Sequence, residues 1–392
     1  MLSFDVIIIG AGAAGMMCAI EAAKRGRKVL LLEHSRKPGN KIIMAGGGRC
    51  NFTNINIDAS NFISHNPHFC KSALSRYTQW DFIAMVNDHN IPYHERDHGQ
   101  LFCKNSSKDI LDMLKSECSN EGIEIHVKTS ITKVATITGG FNVHGESQIW
   151  KCESLVIATG GLSIPTSGAT PFGYQIAEQF GIKVWPPSAG LVPFTLKPED
   201  KKRMAPLSGI SVEVTVSCNG QSFRENILFT HRGLSGPAIL QISNYWYSGQ
   251  NLSINWLPDM ELDKTIIATA KSNPKQQLKT LIATLLPQRL VPLLIDENIA
   301  EKPLNQLTNS QIKNLTLTLK SWQITPAGTE GYRTAEVTQG GVDCDSLSSK
   351  TMETKTQIGL YFIGEVVDVA GWLGGYNLQW AWSSGWCAGQ YV

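Results

Sequence analysis

The residues best suited to chemistry cluster at both ends of the chain. Gly10-Ala11-Gly12-Ala13-Ala14-Gly15 is a GxGxxG run. In such a run the first glycine permits a tight turn, the second lets backbone approach a pyrophosphate, and the third lets helix and strand pack closely. A helix opening here offers unpaired N–H groups and a positive dipole end to phosphates. Glu33 follows 23 residues after Gly10, the distance at which an acid accepts from ribose hydroxyls. That acid alone does not choose between NAD and FAD. Gly46-Gly47-Gly48-Arg49-Cys50-Asn51 comes next. Its glycines let backbone lie against a flat ligand. Arg49 can face a pyrophosphate or an electron-rich ring, or hold the loop through a salt bridge, and Asn51 can donate and accept. Cys50 has no partner cysteine nearby and reads as a packed thiol.

Two further stretches have the same character. Leu155–Gly161 is an apolar run ending in Ala158-Thr159-Gly160, a small-residue turn able to pass beneath a dinucleotide. Near the C-terminus, Gly364-Glu365 ends another apolar run, and Gly374-Gly375-Tyr376-Asn377-Leu378-Gln379 leads into a helical pattern. A helix N-terminus aimed at a flavin's pyrimidine edge stabilises negative charge on the reduced ring. Thr230-His231-Arg232-Gly233-Leu234-Ser235-Gly236-Pro237 combines an imidazole, a guanidinium and hydroxyls. His231 is the candidate catalytic general acid, because imidazole titrates near neutral pH. The plainer alternative is a helix capped by Thr230 or Ser235 with His231 bonding locally.

The elements that position these residues follow from periodicity. Val6 to Ile9 and Val29 to Leu32 are continuous apolar runs, as doubly buried parallel strands require. Ala13 to Lys24 between them is rich in helix formers and stops at Gly26. Residues 51–122 read as mostly helical. Ile123 to Val127, Ile131 to Ile137, Phe141 to His144 and Leu155 to Ala158 read as strands, and Phe172 to Phe180 as a helix. Ile210 to Val216 alternates and is followed by Asn219-Gly220, a hairpin signal. Residues 261–319 carry Leu, Ile, Lys and Gln at helical spacing, broken by prolines. The fold class is therefore α/β: a Rossmann-like domain of residues 1–190 and 336–392, with an inserted β-rich domain of 191–260 and 320–335. A small helical subdomain occupies 261–319.

Composition sets outer limits. The 392 residues are 42% hydrophobic and 17% charged, with a formal net charge of +2. A bulk polyanion-binding protein is not indicated, and no DNA-binding pattern is present. Lys201, Lys202, Arg203, Lys264, Lys271, Lys275 and Lys279 give a modest basic surface. Nine cysteines without a CxxC argue against a disulfide framework, a zinc site or a redox pair, and no metal is expected. Asp5 sits where a secretory leader would be basic, and no apolar run reaches membrane length. A cytoplasmic protein without membrane attachment is the expectation.

Together, Gly46–Asn54, Phe229–Pro237, Ala335–Val342 and Gly364–Gly385 make the chain resemble, over essentially its whole length, the BaiN/RdsA (YhiN-type) bacterial flavoproteins with the glutathione-reductase-type FAD fold. The resemblance implies FAD as cofactor. By it Gly10, Gly12, Ala13, Ala14, Gly15, Glu33, His34, Gly48, Arg49, Cys50, Asn51, Val127, Ala158, Thr159, Gly160, Gly364, Glu365, Gly375, Tyr376, Asn377, Leu378 and Gln379 surround that cofactor. A Glu follows Gly364 where the wider superfamily has Asp, placing the ribitol contact on a longer side chain. No second GxGxxG follows a strand, so NAD(P)H is expected only as a transient electron donor. The implied activity is reduction of an activated C=C bond through flavin N5. One branch acts on a uridine of ribosomal RNA, giving dihydrouridine, and another on bile acids. The alternatives are a steroid-like, small-molecule ene-reductase and a binding or regulatory protein whose FAD is not catalytic. The oligomeric state is not legible in the sequence.

Overall fold

A computed structural model describes residues 2–392. The chain forms two compact units. One comprises residues up to Ala189 together with Glu336–Val392, and the other Gly190–Ala335.

The first unit is built on a Rossmann-type parallel sheet. Strand β1 (Leu2–Ile9), helix α1 (Ala13–Lys24) and strand β2 (Val29–Leu32) form the opening βαβ unit. Strands β3 (Glu124–His126), β4 (Ile149–Ile157) and β5 (Leu360–Phe362) complete the parallel set in the order β3-β2-β1-β4-β5. The hairpin Ile131–Ile137 and Gly140–Gly145 pairs antiparallel with the first half of β4. Val6, Ile7 and Ile8 are fully buried, which is why this strand reads as a continuous apolar run. Each such side chain contributes about 1.5–3 kcal/mol of burial. The strands run further than the apolar runs suggest, because their first residues alternate with exposed polar ones.

Helix α2 (Tyr376–Gly389) lies against α1. Glycine makes the approach possible: a Cβ at Gly385 would sit 2.5 Å from Ala14 O, and one at Gly389 2.5 Å from Glu21 Cβ.

Residues 51–122 are less helical than their composition suggests. Helices Cys70–Arg76, Gln79–Asp88 and Lys108–Asn120 are present. Between them, Asn51–Asn54, Gln100–Cys103 and Tyr93–Arg96 form a three-stranded antiparallel sheet. These strands are four residues long and lack alternation, so no local period announces them.

The second unit holds a seven-stranded sheet. Its hairpin pairs Ser211–Cys218 with Gln221–Phe229. Asn219 and Gly220 have φ of 48° and 77°, the left-handed pair that an Asn-Gly hairpin turn requires. Helices Leu262–Ser272, Leu278–Leu285 and Asn309–Lys320 accompany the sheet.

Candidate dinucleotide site

The GxGxxG turn separates its glycines by role. Gly10 has φ +111°, and a Cβ there would lie 2.3 Å from Ala158 O. A Cβ on Gly15 would lie 1.9 Å from Gly10 O. Both are glycine because protein backbone presses on them. Gly12 differs. Its φ of −87° is open to any residue, and nothing lies within 4 Å of its Cβ position. The missing side chain at Gly12 leaves space in front of the helix. Gly12 is also the N-cap of α1 and supplies no side-chain cap, so the first N–H groups of α1 face that space without intrahelical partners. Ala13 is half-buried and Ala14 buried beside them.

Glu33 ends β2 with its carboxylate pinned. Ala11 N–H donates to Oε2 at 3.0 Å and Ser35 N–H to Oε1 at 2.8 Å. His34 Nδ1 lies 3.2 Å from the same Oε1. Val127 follows β3 and is brought to this edge by Glu33 N–H donating to His126 O and Thr129 N–H donating to Glu33 O. Glu33 Oε2, with Ala11 N–H as its one partner among the described residues, keeps a second lone pair for a ribose hydroxyl.

Within Gly46–Cys50 the backbone is left-handed at Gly46, Gly47 and Gly48, with φ of 59°, 64° and 86°, and again at Cys50, with 45°, while Arg49 between them has φ of −111°. Gly46 packs under Phe102, whereas the Cβ positions of Gly47 and Gly48 meet nothing within 4 Å. Arg49 is exposed and forms no ion pair among the described residues, so the salt-bridged loop is not what the structure contains. Cys50 is fully buried. Burial, then the neighbouring Cys103, pushes its thiol well above the usual range, which suits a packed and inert thiol.

Asn51–Asn54 is bolted to the start of α2. With its amide oriented so that donors meet acceptors, Asn51 accepts from Gly375 N–H and donates to Leu101 O and Thr53 O. Asn54 Nδ2 donates to Gly374 O at 2.9 Å. Thr53 Oγ1 donates to Gln379 Oε1 at 2.6 Å, and Gln379 Nε2 donates to Tyr77 O and Ser383 Oγ. The Gln379 side chain is therefore buried packing beneath the turn. Asn377 is likewise committed, exchanging two hydrogen bonds with Gly371 backbone. Tyr376 packs edge-on to Phe62, and Leu378 is half-buried against the core. What this turn offers a ligand is backbone: Gly375 caps α2 without a side chain.

Ala158, Thr159 and Gly160 follow β4, beneath Gly10 and Gly15. The Thr159 hydroxyl is buried and has no partner among the described residues. Gly364 is gripped by α2, since Ser384 Oγ accepts from its N–H and Trp380 Nε1 donates to its carbonyl.

Glu365 is not a free acceptor. Lys41 Nζ donates to its Oε2 at 2.7 Å, while Ser163 Oγ and Thr338 N–H donate to Oε1 at 2.9 Å each. Lys41 Nζ also reaches Ser163 Oγ at 2.8 Å and lies 4.0 Å from the Cβ position of Gly160. Burial alone would raise the Glu365 pKa, but the Lys41 charge and these hydrogen bonds hold it below the usual carboxylate range. Lys41 escaped the sequence reading because a lone lysine in a helix signals only a solvated face.

In the second unit, His231 is exposed in a tight turn. Thr230 Oγ1 accepts from Arg232 N–H and Gly233 N–H, so Thr230 organises the turn rather than capping a helix. Ser235 lies in a strand, and Gly236 is the residue at the helix N-cap. Arg232 pairs with Glu330 at 3.3 Å. The His231 imidazole has no hydrogen-bond partner among the described residues.

Comparison with known proteins decides the family. The model of the HI0933-like protein Rossmann domain matches residues 4–391. The chain belongs to this family. It is 53% identical over 392 residues to the ribosomal RNA dihydrouridine synthase of Escherichia coli (strain K12), covering 100% of this chain and 98% of that protein. It is 28% identical to the 3-dehydro-bile acid delta(4,6)-reductase of Clostridium scindens, over 98% of this chain and 97% of that one. Among solved structures, the open conformation of a flavocytochrome c3 fumarate reductase matches 99% of this chain and 78% of its own, with TM-score 0.50 and 16% identity. That likeness concerns the fold. Among the described residues no helix is long and apolar enough to cross a membrane, and no group of three or more His, Cys, Asp or Glu is placed to hold a metal ion.

Proposed function

We propose that this chain is an FAD-dependent oxidoreductase that reduces the C5=C6 bond of a uridine in ribosomal RNA to dihydrouridine. The observation that carries the reading is the whole-length, 53% identity to a ribosomal RNA dihydrouridine synthase. The open space at the Cβ positions of Gly12, Gly47 and Gly48 supports FAD as the cofactor, since backbone there is left free for a ligand.

In this reading the α1 N-terminus and Gly12 hold the pyrophosphate. Glu33, braced by Ala11 and Ser35, takes the adenosine ribose, with His34 and Val127 at the adenine edge. Gly47, Gly48 and Arg49 lie against the other half of the cofactor. Glu365, bonded by Lys41, Ser163 and Thr338, serves as an anchor for Lys41, which in this reading meets the ribitol chain. The N-terminal N–H groups of α2 favour negative charge near Gly375. Bound FAD supplies two-electron transfer to a polarised double bond. NAD(P)H is the proposed transient donor, ribosomal RNA the partner, and the cytoplasm the place of action. His231 is the proposed substrate-side group of the second unit.

The test is a pair of half-reactions. The purified protein is reduced anaerobically with NADPH and then mixed with unmodified ribosomal RNA or with a steroid enone. Flavin reoxidation by the RNA supports the reading. Reoxidation by the enone alone moves the chain to small-molecule reduction, which the 28% identity to a bile acid reductase favours as the second reading. No turnover with either acceptor makes the FAD non-catalytic.

A further inference from the structure

Reduction of a C=C bond needs a proton as well as a hydride equivalent. A pair in the first unit is arranged to give the proton. His65 Nδ1 lies 2.9 Å from Asp368 Oδ2. His65 N–H donates to that same oxygen at 2.9 Å, and Ser64 Oγ donates to it at 3.5 Å. An oxygen receiving these donors is an acceptor, so Nδ1 carries the proton and Nε2 is the free, outward atom. The Asp368 side chain is 3% exposed and the His65 side chain 50%. A buried carboxylate thus orients an accessible imidazole.

The ring plane is fixed as well. His65 stacks on Trp185 with centroids 3.6 Å apart and planes 3° from parallel. Trp185 Nε1 is held by Asp343 at 3.1 Å. The other charged and titratable groups around the pair are Lys183, whose Nζ sits 3.2 Å from the Trp185 ring centroid, Asp345, which accepts from Asn66, and Cys344, whose Sγ donates to Asp368 O.

The pair is tied to the cofactor turn. Asp368 is three residues beyond Glu365, within about 10 Å along the chain. Ile63 and Phe62 pair with Ala370 and Gly371, and the Phe62 ring packs on Tyr376 at the head of α2.

We propose that His65, oriented by Asp368, is the proton donor for the reduced double bond. The inference rests on the uridine reading above. Uracil C6 is conjugated through C5 to the C4 carbonyl, so the hydride equivalent supplied by the reduced cofactor goes to C6 and the resulting enolate takes its proton at C5. His65 Nε2–H gives that proton, becomes neutral imidazole, and is reprotonated from solvent. Asp368 is a positioning residue.

The experiment compares wild type, His65→Gln, Asp368→Asn and His231→Asn as FAD-loaded full chains. Flavin content and reduction by NADPH serve as folding and donor-side readouts. Wild-type conversion of ribosomal RNA uridine tests the function itself. Its absence rejects the uridine reading and, with it, this role for His65. With wild-type conversion present, His65→Gln is expected to slow RNA-dependent reoxidation about 100-fold or more at unchanged flavin content and NADPH reduction. A fall in rate towards alkaline pH is expected of the wild type, and His65→Gln should lose it. Asp368→Asn should slow the same step, and imidazole ¹⁵N shifts should report loss of the pure Nδ1–H tautomer of neutral His65. Wild-type turnover in His65→Gln overturns the proposal, as does an unchanged pH profile. A 100-fold loss confined to His231→Asn assigns the proton to the second unit and overturns it too.

Discussion

Lys41 Nζ and Glu365 Oε2 meet at 2.7 Å across 324 residues of sequence. The pair joins the kinked helical segment Asn40–Gly48, which carries the three glycines, to the turn that follows β5. Its side chains are 32% and 19% exposed. Removing one partner of such a pair leaves a charge short of compensation. Lys41→Met is expected to cost about 2 kcal/mol, less than for a fully buried pair because Lys41 keeps solvent contact. Lys41→Met/Glu365→Gln should recover most of that loss. Chemical denaturation of the three proteins measures it.

The same pair sets an acid limit. Glu365 is held below its usual pKa, so its contribution to stability is present above the ordinary carboxylate range. It is lost as pH falls through the lowered folded value. In Lys41→Met the folded value rises towards the unfolded one, so the stability that this group loses on acidification should be smaller than in the wild type. Thermal melting across an acidic pH series checks the sign.

Two glycines two residues apart should respond in opposite ways. In Gly12→Val the Cβ meets no protein atom within 4 Å, and the residue keeps an ordinary φ. The variant should fold at wild-type stability while its flavin content falls sharply. Gly10→Ala drives a methyl into Ala158 O and adopts a strained φ. It should lose stability, by about 1–3 kcal/mol or more. Absorbance at the flavin bands and a melting curve separate the two outcomes. Full flavin occupancy in Gly12→Val removes the phosphate loop from the account.

Gln379 tests how a motif residue divides between cofactor and fold. Gln379→Leu strips partners from the Thr53 hydroxyl, Tyr77 O and Ser383. A loss of about 1–3 kcal/mol is expected for the groups left unpaired. Flavin affinity at a temperature where the variant is folded should change little. Isothermal titration with FAD against a melting curve provides the comparison.

No cysteine should react in the folded protein. All nine are buried, and burial pushes thiols such as Cys103 up to about 12. Thiol titration with an aromatic disulfide at neutral pH should yield no fast phase until denaturant is added.

Much of this was legible because local pattern and tertiary role coincide. Ala13–Lys24 and Val29–Leu32 have the bounds that their composition implies, since burial on both faces writes itself as an unbroken apolar run. Asn219-Gly220 announced its hairpin because only such residues tolerate two left-handed positions in succession. Asn51–Asn54 was not legible as a strand. Its place depends on Asn54 reaching Gly374 and Thr53 reaching Gln379, contacts more than 300 residues away. Lys41 and the His65–Asp368 pair were missed for the same reason. Each is an unremarkable residue until the fold supplies its partner.

The central claim is best tested on the RNA itself. Ribosomal RNA from cells lacking the gene is incubated with the purified FAD-loaded protein and NADPH, digested, and its nucleosides weighed by mass spectrometry. The account predicts uridine gaining the mass of two hydrogens with the wild-type chain and no such gain with Gly12→Val. A wild-type protein that holds FAD and is reduced by NADPH, yet leaves every uridine unchanged, would contradict it.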